Sequence, residues 1–81
     1  MAGVAESSPY RQYLMDMIVA LDGAVSLSEP NQVLLVIQLD TEEKIAKFFE
    51  WIRARMVGEN EVRATEAEIM RAAVQINKGI L

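Results

Sequence analysis

The segment from Val33 to Leu39 contains a single polar residue among seven. A run of this kind is typical of a β-strand that is covered on both faces, and the turn-forming residues 29–31 precede it with only Gln32 between them. Further upstream, Val25 and Leu27 alternate with serines at a period of two, which is the period of a half-buried strand. The segment 24–39 is therefore predicted to form a β-hairpin.

Three amphipathic helices are predicted around the hairpin. The first begins at Pro9 with Ser8 as its cap, and it ends near Gly23, because proline is favoured at a helix start and glycine after a helix end. The second follows a cap at Asp40 or Thr41. The third begins at Thr65, which forms a capping box with Glu68 three residues later. Their apolar residues recur at helical spacing: Tyr10, Leu14, Met17, Ile18 and Leu21; Ile45, Phe48, Phe49, Ile52 and Met56; Ile69, Ala72, Ala73 and Ile76.

The fold class expected from this order is α+β, with helix, β-hairpin, helix and helix (αββαα) packed around a small antiparallel sheet. Residues 9–81 are expected to form a single domain, since 81 residues leave room for one core, and residues 1–8 are expected to form a flexible tail. Because the first arm of the hairpin is shorter than the second, part of the longer strand lacks a neighbour. We therefore expect the sheet to extend across a homodimer. Residues 59–64 are expected to form a loop, which is favoured over the alternative of a short edge strand.

The chain contains no cysteine and no histidine. Their absence removes disulfides, thiolate zinc sites, cysteine nucleophiles and the commonest general base. Asp40, Glu42 and Glu43 form the nearest candidate for a magnesium-dependent acid/base site, but negative charge in a first helical turn explains all three. We expect no enzymatic activity, no catalytic or metal-binding residue and no cofactor.

The 12 acidic and 8 basic side chains give a net charge of −4. This sign is unfavourable for a protein that neutralises phosphates, so nucleic acid is not the favoured partner. The apolar runs are much shorter than the roughly 20 residues of a membrane-spanning helix, and the first residues lack the features of a secretory signal. Together with the absence of cysteine, these features lead us to expect a soluble cytoplasmic protein without membrane association.

Trp51 lies outside the apolar stripe of its helix, in line with three basic residues at helical spacing. We call Lys44, Lys47, Trp51 and Arg55 the tryptophan strip. Tryptophan and arginine are enriched in binding hot spots, so the strip is a candidate docking surface for an acidic protein segment or a phosphate backbone. The alternative is that Trp51 covers the edge of the core and has no partner outside the chain.

Apolar side chains also extend beyond what one core requires. Those chosen as candidates for self-association are Leu34 and Val36 of the predicted strand, Met15 and Val19 of the first helix, and Met70 and Val74 of the third. A small domain gains stability when it buries such residues in an isologous dimer. The alternative is a monomer whose own helices cover both faces of the strand.

These features predict a small non-enzymatic protein-interaction module, of a regulator or inhibitor type, that forms a homodimer and binds a protein partner. Two alternatives remain at this stage. One is a dimer that binds nucleic acid through the tryptophan strip together with Arg53. The other is a magnesium-dependent carboxylate enzyme.

Overall fold

The computed structural model describes residues 9–21 and 23–81, and within them the chain forms four α-helices. The helices are α1 (Pro9–Ala20), α2 (Glu29–Gln38), α3 (Glu42–Ala54) and α4 (Glu66–Asn77). The described residues contain no strand, and their only β-type pairing is an isolated antiparallel bridge between Met56 and Val62. The predicted tail, residues 1–8, and the predicted cap Ser8 lie outside the described residues.

The α+β prediction is wrong, because the predicted hairpin is a loop followed by α2. Residues 24–28 form a turn and an irregular segment, and the helix begins at Glu29. Ser28 is extended at the N-cap position, with φ −62° and ψ 150°, and Pro30 lies in the first helical turn. Proline is tolerated there because the first amide groups have no acceptor within the helix. The Glu-Pro-Asn sequence therefore starts a helix instead of turning a hairpin. Because the described residues contain no strand, the predicted sheet that extends across a dimer is wrong as well.

The apolar run of residues 33–39 divides with helical periodicity. Leu35 lies in α2, and Leu39 is the residue that caps its end. The two are four residues apart, which places them on the same side, and both are fully buried. Val33, Leu34 and Ile37 lie on the opposite side and are exposed. A strand would have placed Leu35 and Ile37 on the same face.

The helices α3 and α4 begin at the predicted caps. The Thr41 hydroxyl accepts a hydrogen bond from the Lys44 backbone N–H at 3.2 Å. The Thr65 hydroxyl accepts from the Glu68 N–H at 3.2 Å, and the Glu68 carboxylate accepts from the Thr65 N–H at 2.8 Å. The predicted capping box is thus confirmed. These bonds satisfy amide groups that have no acceptor within the helix.

One core joins all four helices. α1 packs against α2 and α3, and α4 packs against α2 and α3 as well. Val25 and Leu27 of the loop before α2 are also buried, so this loop closes the core instead of running over it. The core cluster consists of Leu14, Met17, Ile18, Val25, Leu27, Leu35, Leu39, Ile45, Phe48, Ile52, Ile69, Ala73 and Ile76.

Backbone hydrogen bonds stabilise the connection between α3 and α4 and the end of α4. Between α3 and α4 the chain doubles back in the expected loop, where the Arg63 N–H donates to the Arg55 carbonyl at 2.7 Å and the Val57 N–H donates to the Glu61 carbonyl at 3.0 Å. After α4, Gly79 adopts a φ of +80°. The next N–H, of Ile80, reaches the carbonyl of Gln75 at 2.9 Å, which completes a Schellman-type helix end.

Candidate functional site

Trp51 is half-buried at the seam between α3 and α4. Its ring packs against the core cluster and lines two shallow grooves along the seam, one of which also contacts Ile76 and Leu81. The other groove is formed with Ala72 and Gln75 of α4. The ring therefore covers the edge of the core, while part of its surface stays open to solvent.

The charged end of Arg55 rests on Trp51. The guanidinium carbon Cζ lies 3.9 Å from the centroid of the tryptophan ring, which is within cation–π distance. One guanidinium nitrogen, Nη1, also donates to the Trp51 backbone carbonyl at 3.2 Å. Arg55, the residue that caps the end of α3, is therefore held against Trp51 although its side chain remains exposed.

The two lysines of the tryptophan strip lie in different surroundings. Lys44 Nζ lies 3.1 Å from Asp40 Oδ1 and 2.8 Å from Asn77 Oδ1, so it links the start of α3 to the end of α4. Lys47 is exposed and borders the groove beside Trp51. The structure thus brings Lys47, Trp51 and Arg55 together along the seam, while Lys44 is engaged in contacts of its own.

The six residues chosen for self-association fall into two groups. Val36, Met70 and Val74 are half-buried, and the first two pack against the core cluster. Met15 and Val19 are exposed on one side of α1, and Val19 keeps 70% of its surface accessible. Leu34 is exposed on α2. The excess of apolar surface is therefore concentrated on α1 and α2 and is smaller on α4.

Val33 and Ile37 are exposed apolar residues that the predicted strand had assigned to a buried face. Together with Leu34 they form a surface that we call the α2 apolar face, with exposed fractions of 54%, 42% and 53% for Val33, Leu34 and Ile37. Analysing the run with a period of 3.6 residues would have separated this face from Leu35 and Leu39. Because six of the seven residues from 33 to 39 are apolar, the sequence alone does not show which of the two periods applies.

A second surface was not predicted, because it depends on how α1 packs beside α3. The two helices border an open groove of about 630 Å³, which is within the range of small ligand sites. We call it the α1–α3 groove. Tyr10, Tyr13, Ala46 and Phe49 form its apolar wall, and Glu42, Glu50 and Arg53 supply its charges.

The acidic residues at the start of α3 form no recognisable catalytic or metal site. Asp40 pairs with Lys44, while Glu42 and Glu43 occupy the first helical turn, where negative charge is favourable. Across residues 9–21 and 23–81, no three acidic side chains are grouped so that they could hold a metal ion.

Two carboxylates have lowered pKa values for structural reasons. The pKa of Glu66 is lowered chiefly because its carboxylate accepts a hydrogen bond from the Ser28 backbone N–H, with further bonds from the Ser28 and Asn31 side chains. The pKa of Glu68 is lowered mainly by the bond from the Thr65 N–H. Glu66 thereby joins the start of α4 to the start of α2, across 38 residues of chain.

Comparisons with protein-family models, with curated proteins and with solved structures returned no match for this chain. None of the helices that the structure describes has both the length and the apolar character needed to cross a lipid bilayer.

Proposed function

We propose that this protein is a small, non-enzymatic, cytoplasmic interaction module that forms a homodimer through the α2 apolar face and binds a protein partner. The observation that carries the proposal is the position of Val33, Leu34 and Ile37, which lie on the side of α2 opposite the buried Leu35. An exposed apolar face on a helix of a small domain is typical of a contact with another molecule.

We propose that a second copy of the chain binds this face, and the distribution of charged residues along the chain supports this proposal. Two copies carry a net charge of −4 each, so they repel each other least when the meeting surfaces lack acidic residues. From Pro30 to Leu39 the chain has no charged residue. The α2 apolar face can therefore meet its own copy across a two-fold axis without bringing like charges together.

The neighbouring helix adds to the proposed contact. α1 packs against α2, and its exposed Met15 and Val19 are one turn apart on the same side of the helix. Methionine adapts readily to an apolar neighbour because its side chain is unbranched and polarizable. A dimer would also add stability, which domains of about 80 residues obtain only to a limited extent from a single core.

The nucleic-acid alternative gains no comparable support. Lys44 is bound to Asp40 and Asn77, and Arg55 is stacked on Trp51, so two of the three cations in the tryptophan strip already have partners. Binding of a phosphate backbone relies on cationic side chains that can neutralise phosphates, which releases the counterions condensed on the nucleic acid. The tryptophan strip is better suited to an apolar or acidic protein contact around Trp51 and Lys47.

The dimer is tested by measuring the mass in solution. Light scattering on the wild type at tens of micromolar should give twice the chain mass of 9.1 kDa. The double variant Leu34→Gln, Ile37→Gln should give the mass of one chain, because it removes apolar contacts without adding charge. The matched control is Val57→Gln, Ile80→Gln, which replaces two exposed apolar residues outside α2 and should remain dimeric.

Two results would overturn the proposal. One is a wild type that keeps the mass of a single chain even at several hundred micromolar. The other is a control pair that dissociates the protein as effectively as the α2 pair, since that would mean that the contact does not lie on the α2 apolar face. Circular dichroism of each variant establishes that the helices are retained.

A further inference from the structure

The α1–α3 groove combines aromatic surface with carboxylates at its rim. Tyr10 and Tyr13 are exposed on α1, and Phe49 is half-buried on α3. Glu42 and Glu50 border the same groove and are exposed. Aromatic faces attract cations through the ring quadrupole, and carboxylates accept the paired hydrogen bonds of a guanidinium. This combination of side chains favours a cationic ligand.

The two carboxylates of the groove are available to a ligand. The ion pair between Lys44 and Asp40 is the only one within residues 9–21 and 23–81, so neither Glu42 nor Glu50 is neutralised by a described cation. The groove contains one cationic side chain, Arg53, which leaves it with an excess of one negative charge. Charge complementarity therefore favours a basic partner for this groove.

The contact between Arg53 and Phe49 indicates how such a partner could be held. The guanidinium carbon of Arg53 lies 5.0 Å from the centroid of the Phe49 ring, which is within the distance of a cation–π contact. The aromatic wall of the groove thus already accommodates a guanidinium from its own chain. A guanidinium from another chain would find the same kind of surface, with Arg53 as its competitor.

The spacing of the carboxylates sets the form of the ligand. Glu42 and Glu50 are eight residues apart in α3, which corresponds to about 12 Å along a helix that rises 1.5 Å per residue. An extended segment covers that distance in four residues at about 3.3 Å each. Two arginines separated by three residues in an extended segment can therefore reach both carboxylates.

We propose that the α1–α3 groove binds an extended segment of a partner protein that carries two arginines in the pattern Arg-x-x-x-Arg. This inference rests on the proposed interaction role and deepens it by adding, apart from the tryptophan strip, a site for a basic partner segment. It does not depend on dimerisation, because the groove lies between α1 and α3 and the proposed dimer contact is centred on α2. The α2 variants described above should bind the arginine segment as the wild type does, so the two proposals can fail separately.

The probe is a peptide of sequence Ala-Arg-Ala-Ala-Ala-Arg-Ala with acetyl and amide ends, added to ¹⁵N-labelled protein at low salt. Low salt is chosen because contacts between exposed charges are screened as ionic strength rises. We expect the backbone signals of residues 10–13 and 42–53 to shift in a saturable way. A control peptide with citrulline in place of both arginines keeps the shape and removes the charge, and it should produce no saturable shift.

A matched pair of variants separates the groove from the overall charge. Glu42→Gln, Glu50→Gln should weaken peptide binding by about tenfold, because each exposed ion pair contributes up to about 1 kcal/mol. Glu43→Gln, Glu59→Gln removes the same charge from exposed residues that do not line the groove. It should change the affinity by less than about twofold, since charges outside the contact act only through the screened field.

Replacing Arg53 should change the peptide affinity in the opposite direction. Arg53→Gln removes the competing guanidinium and should tighten peptide binding by about threefold. The control Lys78→Gln removes the same charge beyond the end of α4, and it should not tighten binding. The proposal is overturned if the citrulline peptide binds as well as the arginine peptide. It is also overturned if both glutamine pairs weaken binding equally, or if no signal near the groove shifts at millimolar peptide.

Discussion

Replacing Leu35 and Ile37 by alanine, one at a time, tests the helical placement of residues 29–38. In a helix the two side chains point to opposite sides, and they are 0% and 53% exposed, respectively. In a strand, residues two apart share a face, so both would be buried alike. The two variants therefore separate the two structures by the ratio of their effects on stability.

The expected magnitudes follow from burial. Leu→Ala at a fully buried position costs about 2–5 kcal/mol through lost burial and the cavity that remains. For Leu35 we expect about 3 kcal/mol, equivalent to a fall in Tm of about 12–24 °C in a domain of this size. Ile37 buries about half of its side chain, so Ile37→Ala loses about 1 kcal/mol of burial. The better helix propensity of alanine offsets part of that loss, leaving roughly 0.5 kcal/mol.

Urea unfolding followed by circular dichroism is the appropriate assay, with the unfolding free energy taken from the midpoint and slope. The protein concentration should be low enough for light scattering to give the mass of a single chain, because Ile37 also lies in the proposed dimer contact. Equal losses of about 3 kcal/mol in both variants would refute the helical placement of this segment. A loss at Leu35 at least threefold larger than at Ile37 supports it.

Two further predictions concern hydrogen bonds at helix starts. Thr65→Ala should lower the free energy of unfolding by about 1 kcal/mol in urea titrations, because the Glu68 N–H loses its acceptor; an unchanged midpoint would mean that water replaces the cap at no cost. The carboxylate of Glu66 has a lowered pKa in the folded chain, so its contribution is present above the ordinary value of about 4.5 and is lost as the pH falls through the lowered pKa. Thermal melts from pH 6 to pH 2 should therefore show a weaker pH dependence for Glu66→Gln than for the wild type, and parallel curves would contradict the role of Glu66 at Ser28.

The sequence predicted α1, α3 and α4 because each has a clear start and a single apolar stripe. Thr41 and Thr65 act as the expected caps, and the stripe residues at the centres of these helices are buried. Capping and amphipathic spacing are local properties, so they can be identified without knowledge of tertiary contacts.

The prediction failed for α2 because its sequence is apolar on both sides. In such a run the periods of helix and strand fit equally well, and Pro30 was interpreted as a turn residue although proline is also favoured at helix starts. The spacing of Leu35 and Leu39 does not distinguish the two structures, because residues four apart share a face in a strand as well as in a helix. The difference lies in Ile37, which a strand would bury beside Leu35 and which the helix leaves exposed, and its apolar character gives no sign of that exposure in the sequence.

The contacts around the candidate sites depend on pairs of residues far apart in sequence. Lys44 meets Asn77, and Glu66 meets the Ser28 N–H, in both cases after the chain has folded back on itself. The α1–α3 groove likewise arises from the packing of α1 beside α3. The sequence places Trp51 off the main stripe of its helix, but its packing against α4 depends on a helix that begins fifteen residues later.

Because Trp51 is the single tryptophan of the chain, intrinsic tryptophan fluorescence reports on its surroundings alone. Indole emission responds to solvent and to nearby charge, and Trp51 sits between two helices with a guanidinium 3.9 Å from its ring centroid. Separation of α4 from α3 would expose more of the indole to water while Arg55 stays beside it on the α3 side, so the emission wavelength and intensity would change when the seam opens. The α1–α3 groove contains tyrosine and phenylalanine but no tryptophan. Tryptophan fluorescence therefore distinguishes opening of the seam from binding in the groove, and no added label is needed.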